Sequence, residues 1–272
     1  MRLRAALILA GVVALGSHGT AQLPLDPRHD TGQSITPAYE GWYKNADGSF
    51  TLLVGYYNRN SKQTLDIPVG PDNRIEPGGP DQGQPTHFLL QRQWGVFTVR
   101  VPADFGDRKL TWTIVANGHT LSVPMGLHRD YEVSPFKDVA EGNTPPVLKL
   151  DPKGQAFQGP PVQIAAALTT SVGKPLPLTL WATDDNKVDS NRRPTDTPVT
   201  VNWSKFRGPG SVAFENSKPP VDKTSGRAET TASFSAPGDY VLRAQGNDVT
   251  GEGGGGFQCC WTNVIVKVTV TP

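Results

Sequence analysis

The feature that most restricts this chain is an alternation of apolar and polar residues, at a period of two, that returns along most of its length. It is cleanest near the end, where Val264, Val266, Val268 and Val270 fall on one face and Ile265, Lys267 and Thr269 on the other. Successive side chains of a strand point to opposite faces, so this pattern describes a sheet buried on one side. Leu176, Leu178, Leu180 and Ala182 repeat it, as do Val199, Val201 and Trp203, then Ala232 and Phe234, then Tyr240, Leu242 and Ala244. In the first half, residues 64–69, 96–101, 110–116 and 120–124 read as strands. Asn117-Gly118 joins the last two, and both residues accept the positive φ of a two-residue hairpin turn. Asn45-Ala46-Asp47-Gly48, between two aromatic runs, reads as a second hairpin. Beyond the first 21 residues no window carries a helical period. Short alternating strands separated by turns predict an all-β sandwich architecture.

The N-terminus has a different logic. Arg2 and Arg4 precede an apolar run at 5–15, and small residues follow up to Gly19-Thr20-Ala21. That order reads as a secretory signal peptide over 1–21, cut after Ala21. The run is shorter than the roughly 20 residues a bilayer span needs, and no later stretch is long enough, so membrane insertion is not expected. Loss of Arg2 and Arg4 moves the net charge from +1 to −1. A near-neutral chain without a basic run has no electrostatic footprint for nucleic acid. The expected location is secreted or periplasmic.

About 250 mature residues suit two domains. Residues 22–35 read as an extended lead-in, 36–133 as a first sandwich module, 134–142 as a linker within a Pro- and Gly-rich stretch reaching 161, and 143–272 as a second module. Between strands of the first module, 70–93 reads as a long Gly/Pro-rich loop, a length that is usually functional or disordered. In the second module NTPPV at 143–147, GKPLPLTLWATDD at 173–185, VTVNWSKFRGPGSVAF at 199–214, TTASFSAPGDYVLRAQGND at 230–248 and VIVKVTV at 264–270 resemble the immunoglobulin-like or PKD-like modules of secreted bacterial proteins. The resemblance implies an immunoglobulin-like β-sandwich over the second half, and with the strand pattern of the first half the expected fold is two immunoglobulin-like β-sandwich domains in series after the signal peptide. It also implies a corner tyrosine at Tyr240, after the Pro237-Gly238 turn. GWYKNADGSFTLLVGYYNRN and VPADFGDRKLTWT resemble an uncharacterised module of secreted bacterial proteins, which supplies no activity.

Motifs for catalysis are scarce. G-x-S-x-G, H-E-x-x-H and C-x-x-C are all missing, and the glycine run at 251–256 matches G-x-G-x-x-G without the strand–helix setting that motif needs. His87 shares its loop with Asp72, Glu76 and Asp81, residue types that bind metal or exchange protons, against the plainer reading of a solvated loop. Asp184, Asp185, Asn186 and Asp189, with Asp248 at a later loop, are hard oxygen ligands at strand ends, where calcium is the possible cofactor; Asp and Asn are also ordinary turn residues. Trp42-Tyr43 and Tyr56-Tyr57 are adjacent aromatic pairs, so one member of each points away from a single core and is a candidate for stacking on a sugar ring or a protein surface. Cys259-Cys260-Trp261 follows the glycine run; export favours a vicinal disulfide there, with free thiols or bridges between chains as alternatives. The ligand-site candidates are therefore Trp42, Tyr57, Trp261, His87 and Glu76. The leading function is a non-catalytic binding or adhesion accessory for an extracellular glycan or surface protein. A carbohydrate-active enzyme using the 70–93 loop, or a passive spacer in a surface assembly, are the alternatives.

Overall fold

The structure, a computed structural model, describes residues 29–138, 142–187, 199–250 and 259–272. Residues 1–21, read above as a signal peptide, Asp189 and the glycine run at 251–256 lie outside the described residues. No helix among the described residues is long and apolar enough to cross a membrane.

Eight strands form the first module: β1 (Ile35–Lys44), β2 (Phe50–Asn58), β3 (Leu65–Asp66), β4 (Asn73–Glu76), β5 (His87–Phe88), β6 (Gln91–Val101), β7 (Leu110–Ala116) and β8 (His119–Met125). They make one sheet in the order β1-β2-β6, a second in the order β4-β7-β8 and a small β3-β5 ribbon. Every pair is antiparallel. Lettered by the immunoglobulin convention, ABE faces CFG. The core between them holds Leu52, Val54, Tyr56, Phe97, Ile75, Trp112 and Ile114. Asn117 and Gly118 have φ of 49° and 78°, the hairpin expected from their sequence.

The second module has β9 (Val147–Lys149), β10 (Ile164–Ser171), β11 (Leu176–Thr183), β12 (Thr200–Arg207), β13 (Val212–Phe214), β14 (Arg227–Phe234), β15 (Gly238–Asn247) and β16 (Trp261–Thr271). One sheet runs β13-β14-β11-β9 and the other β10-β16-β15-β12, with β10 parallel to β16. This is the D-E-B-A and A′-G-F-C arrangement of an immunoglobulin-like sandwich, with β9 and β10 as two halves of one strand that changes sheets. Trp203 on the C strand is 1% exposed, and Tyr240 on the F strand donates its hydroxyl to the Ala236 carbonyl at 2.8 Å, the corner its position after Pro237-Gly238 predicted. With its only cysteines adjacent, the module holds its sheets together by packing, with each large buried side chain contributing about 2 kcal/mol.

Three boundaries differ from the sequence reading. β1 begins inside the extended lead-in, at Ile35, which is 1% exposed. Pro37 is accommodated because β1 is an edge strand, where a missing N–H is tolerated. β9 lies within the Pro-rich stretch after Ser134, pairing Trp181, Ala182 and Thr183 with Lys149, Leu148 and Val147. Most importantly, the segment 70–93 is not a free loop. β4 within it pairs with β7, and Asn73, fully buried, ties it shut: its Nδ2 donates to the carbonyls of Ile67 at 3.0 Å and Pro85 at 2.7 Å, while its Oδ1 accepts from Trp112 Nε1 at 3.0 Å. Gln84, also fully buried, reaches the carbonyls of Asn73 and Pro80.

That segment and β6 carry the contact between the modules. Arg207 on β12 makes a two-pronged ion pair with Asp81, both bonds at 2.8 Å, and donates from Nε to the Gln84 carbonyl. Thr86 N donates to the Phe206 carbonyl at 3.1 Å, and the Phe206 ring belongs to the core of the first module. Further along, Arg243 reaches Gln93 and Asn263 reaches the Gly95 carbonyl, each at 2.8 Å. Gly95, at φ 48°, lies against Trp261; a Cβ there would come within 2.7 Å of the indole.

Beside this contact Glu40 is buried, accepting from Gly95 N at 2.7 Å and paired with Arg92 at 2.8 Å. Burial pushes its carboxyl up to about 7, with Arg92 and the Gly95 N–H pulling it back only in part. A folded-state pKa above the unfolded value means a contribution that is full at low pH and lost as pH rises through 7. Glu40→Gln is therefore expected to gain about 2 kcal/mol relative to the parent between pH 5 and pH 8.5. Urea midpoints of both proteins at the two pH values check this; a pH-independent gap would refute it.

Candidate functional site

The sequence candidates do not converge. Trp42 is 8% exposed, with Nε1 donating to the His128 carbonyl at 2.8 Å and its ring edge-on to Phe50, so it is not open to a ligand. Its neighbour Tyr43 faces the other way and is covered by Phe136. Trp261 is 3% exposed because the first module sits on it. Both tryptophans are thus corrections: Trp42 belongs to the core of the first module, and Trp261, outside the core of its own module, is covered by the other one. Tyr57 does stand out, 40% exposed, with Arg59 against its ring at 5.5 Å.

His87 and Glu76 are far from forming an acid–base pair. His87 Nδ1 meets Asp66 Oδ1 at 2.9 Å, burial holds its pKa below the ordinary value, and the same Asp66 oxygen takes Lys205 Nζ from the second module at 2.8 Å. Glu76 pairs with Arg74 at 2.9 Å. Of the charged groups of the 70–93 segment, Asp81 joins the modules directly through Arg207, and His87 shares Asp66 with Lys205 of the second module. A sequence reading misses this because the partners lie more than a hundred residues away: Asp81 and Arg207 are separated by 126 positions.

Cys259 and Cys260 are joined to each other within the chain, 8% and 1% exposed. Both sulfurs face the Asn143 carbonyl, at 4.0 and 3.7 Å, so the ring abuts the start of the second module rather than an open surface.

At the same end of the module stand Asp184, just past β11, and Asp248, just past β15. Asp248 accepts from Thr250 N and Oγ1 and from Asn143 Nδ2 at 2.5 Å. Asp184 Oδ2 accepts from Asn186 N at 2.8 Å, but its Oδ1 is buried without a hydrogen-bond partner. Burial, with the charges of Asp248 and Asp185 adding to it, pushes the Asp184 carboxyl up to about 6. Asp185 itself is engaged by Thr144 Oγ1 at 3.1 Å and Lys187 at 3.5 Å. Among the described residues no three His, Cys, Asp or Glu side chains group as metal ligands.

A wider groove lies on the first module. It has a volume of about 630 Å³ and runs between β1, the turn before β7 and the segment after β8. Tyr39 forms part of its floor, its hydroxyl donating to the Gly126 carbonyl at 2.6 Å; burial raises this phenol, so it stays neutral. Tyr131 lies against Tyr39 with ring centroids 5.3 Å apart and planes tilted by 35°, and is 49% exposed. His128 meets the Tyr131 ring edge-on. Val123 and Met125 complete an apolar wall, and Arg108 and Lys109 stand on the rim. Arg108 is held by the Phe105 carbonyl at 2.8 Å and by Asp104. The sequence signals for this groove are weak. Tyr39 lies between the lead-in and the first aromatic run, and Tyr131 in a short turn between recognisable elements.

No family model matches the chain, and no curated protein matches it. Among solved structures it is similar to domains 4 and 5 of the S-layer protein SbsC, with 12% identity and a TM-score of 0.24 over 88% of this chain and 98% of that one. It is also similar to the D0-D1 domain of intimin, with 14% identity and a TM-score of 0.22 over 87% of this chain and 95% of that one. At such scores the fold rests on the strand order and register described above. Two sandwiches with immunoglobulin-like strand order, joined by the 70–93 segment, are what any function must use.

Proposed function

We propose that this chain is a secreted, non-catalytic binding accessory that holds an extracellular glycan in the Tyr39–Tyr131 groove, with the second module as its rigid support. The observation that carries this reading is the half-exposed Tyr131 ring, backed by Tyr39 and rimmed by Arg108, Lys109 and His128, in a groove of ligand size. An aromatic face braced by a second ring offers a flat apolar surface to the C–H face of a sugar, and the rim supplies donors for its hydroxyls. The engagement of His87 by Asp66 and of Asp81 by Arg207 of the second module speaks against the 70–93 segment as a hydrolytic site. Export rests on the signal-peptide pattern of the first 21 residues.

A glycan array probed with the mature protein tests the reading, followed by titration of the best ligand. Tyr131→Ala is expected to weaken binding at least tenfold while leaving the circular dichroism spectrum unchanged. Tyr57→Ala, on a different surface, is expected to leave binding intact. A second reading, a spacer in a surface assembly, is favoured by the clasp between the modules, which fixes one against the other. It predicts no glycan binding at millimolar concentration, and that result would replace the first reading.

A further inference from the structure

We propose that the end of the second module holds a single divalent cation, calcium in kind, between Asp184 Oδ1, the Asp248 carboxylate and Asn143 Oδ1. Three observations support it. The first is that the consecutive residues Asn143 and Thr144 hydrogen-bond Asp248 and Asp185, which brings the carboxylates at the ends of β15 and β11 to the same side of the module. The second is that Asp184 Oδ1 is buried with no hydrogen-bond partner, although the other oxygen of the same group is satisfied. The third stands apart from the acids. Asn143 is 1% exposed, its Nδ2 touches Asp248, and its Oδ1 is also buried and unpartnered. A buried oxygen left without a donor costs about 1–3 kcal/mol, and most buried polar atoms have a partner. Two such oxygens beside one pair of like charges describe a gap that a positive charge fills. The three candidate ligand groups all offer oxygen, which suits a hard cation. Two formal negative charges match a divalent ion, and an irregular mixture of carboxylate, amide and water oxygens suits calcium better than the strict octahedron of magnesium. Asp185 is not needed, since Thr144 and Lys187 already engage it.

The ion would have a structural consequence. Asn143 is where the chain enters the second module, and its carbonyl faces the Cys259–Cys260 ring. A cation bonded to Asn143, Asp184 and Asp248 ties that entry to the B and F strands of opposite sheets.

The experiment uses the whole mature protein, stripped with a chelator and then dialysed. Calcium chloride is titrated calorimetrically and thermal unfolding is followed at 10 mM, with magnesium chloride and matched sodium chloride as comparators. The expected result is one site with a Kd on the order of 0.1–1 mM, as in extracellular modules, and a rise in Tm of about 5 °C. Asp184→Asn is expected to abolish the calcium-dependent rise and to unfold at a higher temperature than the parent in chelator, because it removes a buried charge facing Asp248. Asp185→Asn should keep the rise, and Asp248→Asn, the second variant, should lose it. A calcium shift no larger than that of the comparators overturns the proposal and leaves a proton shared between the carboxyls as the explanation. So does a full shift retained by Asp184→Asn or by Asp248→Asn.

Discussion

Replacing Phe206 by alanine is expected to lower stability by about 3–4 kcal/mol and to split one unfolding transition into two. Phe206 belongs to β12, a strand of the second module, yet its ring is 6% exposed within the hydrophobic core of the first. The strand manages this through an irregularity: pairing with β15 shifts register between Lys205 and Arg207, so consecutive side chains leave the usual alternation. Around the ring the polar contacts are many but weak individually. Asp66 and Asp81 are more than half exposed, and ion pairs of that kind contribute roughly 0–1 kcal/mol each. The apolar plug therefore decides whether the modules unfold together. Calorimetry and tryptophan fluorescence in urea should show coincident transitions for the parent and separated ones for Phe206→Ala. A variant that still unfolds in one transition at the parental midpoint would show that the polar contacts suffice.

How far the chain could be read from its residues follows from which contacts are local. Asn117-Gly118 announces its hairpin because the turn and both strands lie within a dozen residues. Tyr240 announces its corner because the hydroxyl bonds a carbonyl four positions back. The alternating runs of β11, β15 and β16 are legible for the same reason: burial on one face is written in the strand itself. The 70–93 segment was not legible. Its strand is only Asn73–Glu76, and what holds it is a pair of buried amides, Asn73 and Gln84, residue types that elsewhere signal surface. β10 was equally hidden, since IAAALTTS lies parallel to β16 and shows mixed burial instead of a clean alternation. Trp42 and Trp261 were read as possible contact residues on the correct premise that adjacent side chains face apart. Which member of a pair faces the core, and what covers the other, Phe136 over Tyr43 and Gly95 over Trp261, is set by distant pairings that no local pattern reports. The groove suffers the same limit, because Tyr39 and Tyr131 meet across more than ninety positions of sequence.

The other large effect is expected at Gly208, where substitution by alanine should cost more than about 4 kcal/mol and leave the second module largely unfolded at 37 °C. Gly208 follows β12 directly and has φ of 144°, a backbone conformation that a side chain disfavours. Strain is the smaller part of the cost. A Cβ on this residue would stand 2.1 Å from Cδ1 of Tyr240 and 2.7 Å from two further ring atoms. The ring has nowhere to go: it is fully buried, packed edge-on to Phe234 at 4.8 Å, and anchored by its hydroxyl on Ala236. Gly208 thus exists to let the corner tyrosine lie flat against the backbone of the C strand's exit. Tyr240→Phe, which removes the hydroxyl alone, is expected to cost only about 1 kcal/mol, so the two variants separate ring contact from hydrogen bond. The decisive comparison adds Gly208→Ala to Tyr240→Ala. With the ring gone the new methyl has room, so the double variant should be less destabilised than the sum of the singles by at least about 1 kcal/mol. Strict additivity would mean that the cost of Gly208→Ala is backbone strain, and the close approach to Tyr240 would then not be what keeps this position glycine.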